Sequence, residues 1–78
     1  MEAIIEHLVG LGWKREVNYG GQVELYRPDY ERCVTFYGNK YWELGRFTDS
    51  DIDGVARGRY ESVTEGETLE ELIQELAQ

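Results

Sequence analysis

The most concentrated chemistry in these 78 residues is Asp49-x-Asp51-x-Asp53-Gly54. Three carboxylates at alternate positions, then a glycine, offer hard oxygen donors of the kind calcium takes from a tightly turned loop. Such a loop closes its coordination shell with a bidentate glutamate at the twelfth position. Counted from Asp49, that position holds Tyr60, and Glu61 comes one residue late. A second reading uses the same residues without an ion. Thr48 or Asp49 caps a short helical turn, with Asp51 and Asp53 near its positive end. Ile52, Val55 and Ala56 then fall at i, i+3 and i+4, and Gly58 ends the turn. This reading accounts for more residues, so the expectation is an acidic helical turn with no metal.

The run "DSDIDG" resembles the opening of the EF-hand calcium loop over six residues. That motif needs a helix on each side, and here "NKYWELGRF" before it and "GRYESV" after it read as extended. The rest of the chain is sparse in reactive groups. One histidine (His7) and one cysteine (Cys33) are too few for a Ser-His-Asp or Cys-His arrangement, or for a thiolate cluster. Cys33 lies in a strand pattern and reads as a small buried side chain; His7 reads as a solvated helix residue. The glycine runs "YGGQ" and "YGNK" sit in hairpins rather than between a strand and a helix, so they do not read as phosphate loops. The expectation is a non-enzymatic protein with no cofactor.

Charge gives the next indication. The formal net charge is −8, and it is uneven. Residues 1–48 carry seven acids against six bases; residues 49–78 carry nine acids against Arg57 and Arg59 alone. Such a field repels nucleic acid and anionic lipid and attracts basic protein surfaces. The residues expected to meet a basic partner are Asp49, Asp51, Asp53, Glu65, Glu67, Glu70, Glu71 and Glu75. No basic stretch followed by an apolar run marks a signal peptide, and no apolar stretch approaches the roughly 20 residues of a membrane span. A lone cysteine fits a reducing compartment, so the expected location is cytoplasmic.

The elements that must position these groups form one small α+β domain, residues 1–78. A chain this short buries roughly 60–65% of its unfolded surface. "EAIIEHLVGLG" predicts a helix whose stripe is Ile4, Ile5, Leu8 and Val9, with Gly10 or Gly12 as the left-handed exit and Leu11 packed back on it. Residues 13 to 46 predict a four-stranded antiparallel meander with turns at "GGQ", "PDYE" and "GNK". Strand pairing must keep apolar residues on one face, because a slip of one residue turns a strand over. Three-residue loops at the first and third turns satisfy this. They set Tyr19 opposite Val23, Val17 opposite Leu25, Phe36 opposite Trp42, and Tyr37 opposite Tyr41. A four-residue middle loop sets Leu25 opposite Val34. The inner face is then Trp13, Val17, Tyr19, Val23, Leu25, Val34, Phe36, Trp42 and Leu44. Arg59 to Val63 reads as a short fifth strand. "TLEELIQEL" predicts a C-terminal helix with Thr68 as N-cap, Glu71 closing a capping box, and a buried stripe of Leu69, Leu72, Ile73 and Leu76. Both helices are expected on the apolar sheet face.

The other sheet face carries three tyrosines, Tyr26, Tyr37 and Tyr41, among polar residues. Tyrosine gives a large contact area at low entropy cost, so this face is a second candidate contact surface. Aromatics on a sheet can also stack bases, but Glu24 and Glu43 stand beside them, which speaks against direct nucleic-acid binding. The tail "VTEGETLEELIQEL" resembles the strand–turn–helix end of the HicB antitoxin family over 14 residues, which implies that local structure and nothing more. As a class, a small acidic domain without catalytic residues is similar to phage-encoded inhibitors, including anti-CRISPR proteins and DNA mimics. The function expected is therefore an inhibitor or regulator docking its acidic C-terminal region on a basic, nucleic-acid-binding protein surface. The alternative is an assembly module that forms a homodimer through the tyrosine face.

Overall fold

The computed structural model describes residues 1–48, 51–52, 55–56 and 59–77. In chain order the elements are α1 (Glu2–Gly10), β1 (Lys14–Val17), β2 (Val23–Tyr26), β3 (Arg32–Tyr37), β4 (Tyr41–Thr48), β5 (Asp51–Ile52), β6 (Val55–Ala56), β7 (Arg59–Gly66) and α2 (Leu69–Leu76). Five strands form an antiparallel sheet in the order β1-β2-β3-β4-β7, and β5 and β6 form a separate two-stranded ribbon. The fold is α+β, as the apolar pattern predicts.

Helix α1 ends in a Schellman motif. The Gly12 N–H donates to Val9 O at 3.0 Å and the Trp13 N–H to Leu8 O at 3.1 Å. Gly12 sits at φ +96°, the left-handed value that a side chain disfavours. Trp13 and Leu8 are both buried, so the turn is closed by an apolar contact as well. Leu11 is instead exposed, and Val9 is 44% exposed, which removes both from the packed stripe.

The pairing of the middle strands follows the predicted faces. Leu25 opposes Val34 and Val23 opposes Phe36. Across the next hairpin, Val34 opposes Leu44, Phe36 opposes Trp42 and Tyr37 opposes Tyr41, with Gly38 at φ +60° in the three-residue loop. The first hairpin differs. Val17 opposes Val23 and Arg15 opposes Leu25, so the loop spans residues 18–22 rather than three residues. The cause is Asn18. Its side-chain oxygen accepts from Gly20 N at 2.9 Å and Gln22 N at 3.0 Å, and its own N–H donates to Gln22 O at 3.0 Å. An asparagine that organises its own loop outcompetes the shorter turn. The shift is two residues, so faces are preserved, but Tyr19 moves into the loop and is fully exposed, and Val17 on the edge strand is 65% exposed.

The core lies on one side of the sheet. Ile4, Ile5 and Leu8 of α1 and Leu72 of α2 cluster with Trp13, Leu25, Val34, Phe36, Trp42 and Leu44. Leu69 and Leu76 pack against this cluster, whereas Ile73 is exposed and not part of the buried stripe. Helix α2 starts at the full capping box of Thr68 and Glu71. The buried Trp42 Nε1–H donates to Thr68 O at 3.0 Å, tying that cap to the middle of the sheet.

The fifth strand is longer than the sequence suggests. β7 runs eight residues and pairs with β4 from Trp42 to Thr48, with a register shift at Leu44/Gly45. The expectation of a helical turn over residues 49–58 is corrected: Asp51 pairs with Ala56 and Ile52 with Val55 in the ribbon. The chain returns antiparallel to itself here because β4 and β7 are already paired up to Thr48 and Arg59. The described residues between these ends are paired as a ribbon rather than wound as a helix. Asp49, Asp53, Gly54 and Gly58 lie outside the described residues. No helix among the described residues is long and apolar enough to cross a membrane.

Candidate functional site

Both helices pack on one face of the sheet, so the opposite face must cover itself. Side chains alternate along each strand, and this open face receives Glu24, Tyr26, Cys33, Thr35, Tyr37, Tyr41, Glu43, Gly45 and Phe47. The bulge adds Tyr60. Leu44 pairs with Thr64 but Gly45 pairs with Ser62, so Val63 is the extra residue. Without that insertion Tyr60 would fall on the helix-covered face; with it Tyr60 stands opposite Phe47 on the open one. Its ring lies directly on Gly45, where a Cβ would collide with it. This explains a glycine in the interior of a strand.

The aromatics form two groups. Tyr37 and Tyr41 stack across the third hairpin with centroids 4.8 Å apart and planes at 15°. Phe47 joins Tyr26 at 6.0 Å and Tyr60 at 5.6 Å, and Tyr30 of the middle turn approaches Tyr26 at 6.2 Å. Together they shelter Cys33 and Thr35, which are 1% and 5% exposed although no helix lies above them. Burial, and then the nearby Glu24 carboxylate, push the Cys33 thiol up to about 11. The thiol is therefore protonated near neutrality, a poor nucleophile, as its strand position suggests.

Carboxylates run across the same face in register. Glu16 pairs with Glu24, Glu24 with Thr35, Thr35 with Glu43, and Glu43 with Glu65, one residue from each of the five strands. Like charges opposite one another are destabilising in a sheet. Here neutral partners and hydroxyl donors relieve the inner two. The Tyr26 hydroxyl donates to Glu24 Oε1 at 3.2 Å, with Thr35 Oγ1 at a longer 3.5 Å from Oε2. The Tyr60 hydroxyl donates to Glu43 Oε1 at 2.6 Å. Burial raises the Tyr26, Tyr37 and Tyr60 phenols above the ordinary tyrosine range, and the neighbouring carboxylates raise them further. All three are therefore neutral at physiological pH, and Tyr26 and Tyr60 act as donors. Between the two carboxylates the surface dips into a hollow of about 290 Å³, lined by Tyr26, Tyr37, Phe47 and Tyr60 as well as Glu24 and Glu43.

The residues singled out from the sequence are divided between two layers. Tyr26, Tyr37, Tyr41 and Glu65 share the open face. Glu70, Glu71 and Glu75 belong to α2, on the other side of the sheet. Glu71 is occupied locally: its carboxylate accepts from the Thr68 N–H and hydroxyl, which hold it below the usual carboxylate range. Glu67 lies in the turn before Thr68 and donates its N–H to the same carboxylate at 3.5 Å. Asp51 belongs to the β5–β6 ribbon, and Asp49 and Asp53 are outside the described residues. Sequence reading missed Phe47 and Tyr60 as members of the face. The one signal for them was Gly45, an unexplained glycine inside a strand pattern. Compared with known proteins, the chain matches no family model, no curated sequence and no solved structure.

Proposed function

We propose that this chain is a non-enzymatic interaction module that docks on a basic protein surface, with the open sheet face as its contact surface. The observation that carries the reading is the row of four glutamates and Thr35 crossing the five strands among exposed or half-buried tyrosines. Tyrosines supply rigid contact area, and the carboxylates supply complementarity to a basic partner. The overall charge of −8 favours the same class of partner through long-range attraction. Where that basic surface normally holds nucleic acid, the chain acts as a competitor for it. Pairing two copies face to face would set one row of glutamates against another with Lys14, already paired to Glu16 at 3.6 Å, as the cation at the edge of the row, which disfavours the homodimer.

The test places a photo-crosslinking amino acid at Tyr41 on the open face or at Gln74 on α2. The expected result is a basic protein captured at Tyr41 and not at Gln74. With that partner purified, Glu65→Lys should weaken binding by tenfold or more, and Glu70→Lys on the helix layer should weaken it less. Affinity should fall as salt rises. Capture only at Gln74, or a crosslinked dimer of the chain itself, would overturn the reading.

A further inference from the structure

Within that face, we propose that the hollow between Glu24 and Glu43 receives one arginine side chain of the partner. The inference rests on the reading of the open face as a docking surface and names its anchor.

The lining selects the ligand by elimination. Two carboxylates without a protein cation beside them among the described residues repel any anion. A neutral apolar group would strip water from both carboxylates and return nothing. A hard metal ion needs six or more oxygen donors; the wall offers two carboxylates, its other polar groups are neutral, and four of its eight residues are aromatic. An organic cation satisfies both components. Ring faces attract it through their quadrupole, and the carboxylates attract its charge.

The hydrogen-bond inventory narrows the choice to a guanidinium. Each carboxylate accepts one phenolic hydrogen, Glu24 from Tyr26 and Glu43 from Tyr60. A carboxylate has about four acceptor sites, so several stay open on each. What remains to be met is a set of acceptors on two sides of one hollow. Arginine brings five N–H donors in a plane and no acceptor, and its plane stacks on aromatic rings. It is also less strongly hydrated than an ammonium, so entry into a half-buried hollow costs it less. The phenolic bonds hold both carboxylates in place before the ligand arrives, which reduces the ordering needed on binding.

The experiment uses the intact chain and amide-resolved NMR titration with three probes: N-acetyl-arginine methylamide, its lysine counterpart, and its uncharged citrulline counterpart. The arginine probe should give saturable shifts at Thr35, Glu43 and Gly45, with a dissociation constant in the millimolar range. The lysine probe should bind several-fold more weakly, and citrulline should give no saturation. Glu43→Gln keeps an acceptor for the Tyr60 hydroxyl and should leave the fold intact while cutting affinity at least fivefold. Glu24→Gln provides a second, independent variant. Equal shifts with citrulline, equal affinity for lysine, or shifts spread over α2 as strongly as over the hollow would overturn the assignment. Crosslinking at Tyr41 reads the wider docking face separately. A basic partner captured there while the arginine probe fails removes the anchor and leaves the docking reading. Saturable arginine binding with no partner at Tyr41 does the reverse.

Discussion

Gly45→Ala should destabilise the protein, and the same substitution should stabilise a variant that lacks the Tyr60 ring. Gly45 is buried in β4, and its φ is not among the positive values. Alanine therefore suits the backbone and removes the extra freedom of glycine in the unfolded chain, a gain of about 0.5–1 kcal/mol. Against this stands the Tyr60 ring, which occupies the position of the new methyl. Tyr60 is 43% exposed, so its ring can swing outward rather than force the backbone apart. The swing gives up its hydrogen bond to Glu43 and its edge contact with Phe47. The bond is worth about 1 kcal/mol where water can replace it, and the aromatic pair about 0.5–1.5 kcal/mol. Loss exceeds gain, and Gly45→Ala alone should cost about 1 kcal/mol. In a Tyr60→Ala background only the gain remains.

Urea unfolding of the four proteins, followed through the buried Trp13 and Trp42, reads the cycle directly. The expected coupling is about 1.5–2 kcal/mol, well above the scatter for independent sites. If Gly45→Ala stabilises both backgrounds, or destabilises both equally, Tyr60 does not lie on Gly45, and the bulge does not present it to the open face.

Trp42→Phe removes the donor to Thr68 O and leaves space beside Gly66, where an added Cβ would come within 2.6 Å of the indole. It should lower the urea midpoint by the equivalent of about 1–3 kcal/mol with no change in slope. Thr68→Ala should cost about 1 kcal/mol and speed hydrogen exchange at the first turn of α2 before it affects β3. The depressed Glu71 carboxyl makes its contribution fully present above its ordinary value of 4.5 and lost as pH falls through the lower folded value. Acid titration of Glu71→Gln, which keeps the capping acceptor, should lose that part of the pH dependence. Cys33 shifts in the opposite sense: its folded value is raised from 9.0 to about 11, so stability is complete below pH 9 and declines as pH rises between the two. A Cys33→Ala variant should flatten that alkaline decline, and a thiol reagent should react with Cys33 at pH 8 only at the rate of opening.

The second and third hairpins were legible in the sequence because each has strong apolar residues on both strands. Leu25, Val34, Phe36, Trp42 and Leu44 admit one register that keeps all five inside, and the structure adopts it. The first hairpin carried less information. Beyond Val23 and Leu25 its pattern rested on Val17 and Tyr19 at the edge, where burial is weak, and Asn18 decided the loop through its own backbone bonds. Periodicity also failed around Ile52, Val55 and Ala56, which fit a helical face and a paired ribbon equally well. Only the long-range pairing of β4 with β7 selects the ribbon. The open face suffered most, since Tyr60 reaches it through a bulge set by the pairs Leu44–Thr64 and Gly45–Ser62, whose members are 20 and 17 positions apart in the chain. Alternation within one strand cannot reveal such a shift.

The reason this face is aromatic follows from the size of the chain. Helices of nine and eight residues span about 12–14 Å each at 1.5 Å per residue. Five strands at about 4.8 Å spacing make a sheet about 19 Å wide. Two such helices cover one face and leave none for the other. An antiparallel sheet tolerates one solvated face, but covering its centre adds buried area to a domain whose core is small. Large flat side chains lying on their neighbours do this from within the sheet: Tyr60 on Gly45, and Phe47 between Tyr26 and Tyr60. That requirement accounts for the Tyr26, Phe47 and Tyr60 group and for the burial of Cys33. Glu16 is paired with Lys14 at 3.6 Å, but the requirement does not account for Glu24, Glu43 and Glu65, which add mutual repulsion to a face that serine or threonine would serve at lower electrostatic cost. Stability therefore explains the rings, and recognition of a cationic partner is the role we propose for the acids set among them.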